Sequence, residues 1–84
     1  MNSKQRETLA AGFAEPTSGT VNRAAIESLL VAAGCQITEG SGARVRFVFE
    51  DMVATFHRPH PANEAKRYQV RDARAFLIRI GVKP

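Results

Sequence analysis

Two histidines, His57 and His60, stand in the stretch Thr55-Phe56-His57-Arg58-Pro59-His60-Pro61, and nine of the chain's twelve cationic residues are arginines. Histidine titrates nearest neutrality of all side chains, so it is the natural acceptor for a proton taken from a hydroxyl. Arginine stays charged and presents a planar fork of donors that fits phosphate oxygens. Histidine beside arginine is therefore a combination suited to phosphodiester chemistry. Other chemistries find less support. Cys35 is the only cysteine, which excludes an internal disulfide and a cysteine-based zinc site. A histidine pair three residues apart, interrupted by Pro59, lacks a third ligand placed to complete a metal site. Ser41 and Thr55 have no apparent base and carboxylate to activate them. No metal and no cofactor is expected.

The cations are unevenly placed. Residues 1–42 carry Lys4, Arg6 and Arg23 against four glutamates, a net −1, whereas residues 43–84 carry nine cations against four carboxylates, a net +5. The second half thus reads as an anion-facing surface, with Arg44, Arg46, Arg58, Lys66 and Arg67 as the candidate nucleic-acid contacts. No run approaches the roughly 20 apolar residues that span a bilayer, and the first residues lack the apolar core of a signal peptide. A protein without membrane contact, working in the cytoplasm, is the expectation.

At 84 residues the chain has material for one core. The pattern predicts a helix capped by Ser3 and running to about Phe13, then a break at Glu15-Pro16-Thr17-Ser18-Gly19. A second helix follows Asn22, with Ile26, Leu29, Leu30 and Ala33 on one stripe and Gly34 as its stop. Cys35 to Glu39 alternates as a half-buried strand. Arg44-Val45-Arg46-Phe47-Val48-Phe49 and Met52-Val53-Ala54-Thr55-Phe56-His57 read as a hairpin closed by Glu50-Asp51. With a two-residue loop, Phe49 faces Met52, Phe47 faces Ala54 and Val45 faces Phe56, making one side of the ribbon wholly apolar. The same register sets Arg44 opposite His57 and Arg46 opposite Thr55 on the other side. A last helix begins near Tyr68, with Val70, Ala73, Leu77 and Ile80 inward and Gly81 at its end.

These elements predict a two-layer α+β domain: a three-stranded antiparallel sheet with helices on one face, in the order α-β-β-β-α, plus an extra N-terminal helix. The architecture is similar to the double-stranded RNA-binding fold. Residues 1–21 form an N-terminal helix and linker, and residues 22–84 the domain itself.

The stretches Ile26-Glu27-Ser28-Leu29-Leu30 to Gly34, Glu39 to Phe47, Ala54 to Pro61 and Val70 to Gly81 together resemble the HicA family, over roughly residues 22–82. The resemblance implies a toxin of a type II toxin–antitoxin system that binds and cleaves messenger RNA as a metal-independent endoribonuclease, neutralised by a HicB-type antitoxin. The family's usual active element is a Gly-Ser-His step at the start of the second strand, and here Gly42-Ala43-Arg44 stands in its place. Arg44 can hold phosphate or offset the charge of a phosphorane, but it is a poor base for a ribose 2′-hydroxyl. His57, brought beside Arg44 by the hairpin register, is the candidate replacement. His60 matches the family's Pro-His-Pro position and is the second catalytic candidate. Two alternatives stay open: a relative that binds RNA or antitoxin without cutting, and a DNA-binding module. The latter lacks a helix-turn-helix pattern, although Arg71 and Arg74 keep it in view.

Overall fold

The computed structural model describes residues 1–40, 44–58 and 64–84, as α1 (Ser3–Phe13), α2 (Arg23–Ala32), β1 (Gln36–Glu39), β2 (Arg44–Phe49), β3 (Met52–His57) and α3 (Arg67–Arg79). The strands form one antiparallel sheet in the order β1-β2-β3. This is the expected α+β arrangement, with a sheet and helix order like that of the double-stranded RNA-binding fold.

The helix ends explain where each helix stops. Asn22 accepts from the N–H groups of Ala24 and Ala25 at 2.8 and 3.3 Å, satisfying two donors that the first turn of α2 leaves open. At the other end Gly34 takes φ 110°, its N–H reaches the Val31 carbonyl at 3.0 Å, and the Cys35 N–H reaches Leu30 at 3.1 Å. That pair of bonds is a Schellman stop, which requires the left-handed conformation glycine adopts at little cost. α3 ends the same way on Gly81, φ 88°, with Val82 N–H on the Leu77 carbonyl at 2.8 Å. α1 differs from expectation at its start. Its cap is Asn2, not Ser3, because Asn2 and Gln5 exchange side-chain to backbone bonds at 2.9 and 2.8 Å, a reciprocal box that Ser3 has no partner to form.

The hairpin register is the predicted one throughout: Phe49 opposite Met52, Phe47 opposite Ala54, Val45 opposite Phe56, Arg46 opposite Thr55 and Arg44 opposite His57. Glu50, with φ 56°, absorbs the tight turn in a left-handed conformation that costs a side-chain-bearing residue about 1–2 kcal/mol. The apolar row then packs under the helices. Val45, Phe47, Leu30, Val70 and Leu77 are the largest fully buried side chains, and the Phe47 and Phe56 rings meet edge to face at 5.7 Å.

β1 is less buried than the alternation predicts. Cys35, just before it, is buried, but all four strand residues are exposed, and Ile37 is 42% exposed although it lies opposite Phe47. The strand is one edge of the sheet, and the helix layer leaves it uncovered. α1 joins the helix layer by packing on α2 and α3, with Leu9 buried in the common core. Two α3 arginines secure the end of α1 and the segment after it. Arg74 donates to the carbonyls of Gly12 and Ala14, to Glu15 and to Thr17 Oγ1, while Arg71 also reaches Thr17 Oγ1.

Candidate nucleic-acid interface

Strand alternation decides which side chains leave the core. Opposite the helices, the sheet presents Thr38, Arg46 and Thr55 in one row, Gln36, Val48 and Val53 in the next, and Arg44 paired with His57 at the far end. All of these except the half-buried Val48 are exposed, and none is a carboxylate. Arg44, Arg46 and His57 therefore share a face whose charge is positive and open to solvent. Directly opposed side chains on such a pair have their Cβ atoms about 4.5–5.5 Å apart, close enough for Arg44 and His57 to engage one phosphodiester together.

Both ends of this pair are held from behind. The His57 carbonyl accepts from Gln69 Nε2 at 2.7 Å, and Gln69, only 5% exposed, also accepts the Lys66 N–H at 3.1 Å. One buried amide thus joins the end of β3 to the start of α3. On the other side, Gly40 donates its N–H to the Arg44 carbonyl at 2.9 Å. A Cβ at residue 40 would lie 3.3 Å from Arg44 Cβ, so glycine permits the close approach.

Arg58 does not stand with the other arginines. One residue past His57, it turns to the helix-covered side and forks onto Glu27 of α2, Nε to Oε2 at 3.0 Å and Nη2 to Oε1 at 2.8 Å, while Nη1 spans both oxygens of Glu39 at 3.1 and 3.2 Å. Arg23 completes the cluster with a 3.0 Å bond to Glu27. Burial alone pushes the Glu27 carboxyl up, but the hydrogen bonds and charge of Arg58, then of Arg23, outweigh it and hold the group below its ordinary value. The pKa of the Arg58 guanidinium is raised in turn, chiefly by its hydrogen bonds to Glu27. This cluster was not anticipated from the sequence.

Lys66 and Arg67 lie at the start of α3, beside the buried Gln69 that ties this helix to the end of β3. Both are exposed, and Arg67 donates from Nε to the Thr17 carbonyl at 3.2 Å and lies across Gly19. His60 and the Gly42-Ala43 step lie outside the described residues. Among the described residues no three histidine, cysteine, aspartate or glutamate side chains gather as a metal site, and no helix is long and apolar enough to cross a membrane. Cys35 is buried, and burial raises its thiol pKa.

Residues 23–82 match the family model described as HicA toxin of bacterial toxin-antitoxin, from the first residue of α2 to just beyond α3. The chain belongs to the HicA toxin family. No curated protein and no solved structure matches it significantly. As a HicA toxin it is one member of a toxin–antitoxin pair, and its partner is an antitoxin. The match takes in the whole sheet, α2 and α3, hence every residue of the open face, and leaves α1 outside.

Proposed function

We propose that this HicA toxin binds messenger RNA on the open sheet face and cleaves it without a metal ion. The observation that carries the reading is the register pair of Arg44 and His57 on a face free of carboxylates. His57 takes the proton of a ribose 2′-hydroxyl as its oxygen attacks the adjacent phosphorus. The P–O5′ bond breaks, and the products are a 2′,3′-cyclic phosphate and a 5′-hydroxyl that receives a proton from the imidazolium or water. Arg44 and Arg46 hold the phosphate and offset the charge that grows on its oxygens. RNA is required, since DNA has no 2′-hydroxyl to attack. His60, in the neighbouring loop sequence, is the second residue able to carry the proton.

A second reading rests on the same residue pair. Arg44 occupies the place of the family's usual histidine, and a chain with arginine there binds RNA or antitoxin without cutting if His57 does not replace the base. In either reading, residues 22–84 are the working unit, residues 1–21 a docked appendage, and the cytoplasm the place of action. A HicB-type antitoxin silences the toxin by covering the open face with acidic groups, so the complex weakens as salt rises.

The experiment is RNA turnover by the purified chain in excess chelator, with DNA of the same sequence as control. The proposal expects RNA cut to cyclic-phosphate ends and DNA left whole. RNA bound but never cut selects the second reading, and equal affinity for both polymers with no cleavage removes the first.

A further inference from the structure

The two edges of the sheet are built differently. β1 has four residues and ends in the charged Glu39, the kind of short, charged edge that resists pairing with another strand. β3 is six residues long, Met52-Val53-Ala54-Thr55-Phe56-His57, with no Lys, Arg, Asp, Glu or Pro in it. Alternate residues of an edge strand direct their N–H and C=O groups away from their neighbour, so among the described residues Val53 and Thr55 offer open hydrogen-bonding groups at this edge, the His57 carbonyl being taken by Gln69. Val53 on it is 50% exposed.

α3 begins beside His57 and runs along this edge, leaving an open groove lined by Val53, Thr55, Asp72, Ala75 and Arg79. Asp72 and Arg79 are exposed and enter no ion pair among the described residues, unlike Arg58 and Arg74. They stand seven residues apart, two turns along one side of the helix, with the small Ala75 between them. A two-fold axis passing near the middle of β3 would run the partner's helix in the opposite direction. It would bring Asp72 of each copy towards Arg79 of the other, with two alanines where the helices approach. A surface that matches itself under a two-fold rotation is the requirement for a closed dimer.

We propose that this chain pairs with a second copy of itself by antiparallel addition of β3 to β3, with reciprocal Asp72 to Arg79 contacts between the α3 helices. The two sheets join into one of six strands. Their open faces lie on the same side, so Arg44 and Arg46 of both copies form a single basic surface longer than one molecule provides. This assembly is independent of whether the surface cuts RNA.

Sedimentation equilibrium of the full chain over a range of concentrations tests it, using wild type, Asp72→Arg, Arg79→Asp and the double exchange. Both positions are exposed, so folding should survive, and circular dichroism checks it. The expected result is a dimer whose dissociation constant rises about tenfold in each single variant, through two repelling pairs per dimer, and returns to within a few-fold of wild type in the double exchange. A monomer at every concentration up to about 1 mM, the level of a very weak complex, overturns the proposal. So does a dimer indifferent to the single exchanges. A chain that is monomeric alone, yet gains amide protection along β3 when antitoxin is added, overturns it in favour of an antitoxin strand at that edge.

Discussion

The buried Gln69 side chain donates to the His57 carbonyl at 2.7 Å while accepting the Lys66 N–H at 3.1 Å. The residue with the clearest chemical potential on the open face is thus positioned by an amide on the closed one. Gln69→Leu keeps the volume and removes both bonds, leaving a carbonyl and an N–H without partners. Each such loss costs about 1–3 kcal/mol, so urea unfolding should show a destabilisation in that range or somewhat above it. RNA turnover should fall too, because the end of β3 loses its tether. Unchanged turnover in a folded Gln69→Leu protein would show that His57 needs no support from behind.

Arginines on the two sides of the sheet should behave differently. Arg44→Ala with Arg46→Ala should weaken RNA binding and flatten the dependence of log affinity on log salt by about one to two units, one for each phosphate no longer neutralised. Arg58→Ala should leave the slope nearly unchanged and instead lower stability, since it leaves the partly buried Glu27 with Arg23 alone to balance its charge. Titrations at several salt concentrations, paired with denaturation curves, separate the two effects.

The Glu27 cluster also sets an acid limit. The folded value of this carboxyl lies below its ordinary 4.5, so its contribution to stability is present above that pH and is lost as pH falls through the depressed folded value. Thermal unfolding followed from pH 7 down to pH 3 should show a steep decline below about pH 4.5 in wild type. The decline should be shallower in Glu27→Gln, which starts from a lower stability at neutral pH. Identical acid profiles for the two proteins would assign the decline to other carboxylates.

The hairpin was legible in the sequence because its information is local. Two alternating runs and a two-residue connection leave one register that puts Val45, Phe47, Phe49, Met52, Ala54 and Phe56 on a common face, and that register is observed. The start of α2 at Asn22 and the glycine stops of α2 and α3 were legible for the same reason, whereas the Asn2 cap of α1 was not. Arg58 was not. Its partners Glu27 and Glu39 lie 31 and 19 positions away, and nothing in the local pattern distinguishes a guanidinium that finds carboxylates from one left for phosphate. Arg67, Arg71 and Arg74 illustrate the same limit, since their bonds run to residues 12–17, more than 45 positions earlier. β1 misled because alternation reports which side a residue faces, and only the reach of the helix layer decides whether that side is covered.

The proposal that His57 is a general base is open to direct measurement: the rate of RNA cleavage by His57→Ala in the presence of chelator, with folding and RNA affinity determined on the same preparation. Removing a general base typically costs about 100- to 10,000-fold, and a loss in that range with affinity nearly intact is the predicted result. A His57→Ala protein that cuts RNA within a few-fold of the wild-type rate would contradict this role, and a dead His60→Ala protein beside it would move the proton transfer to His60.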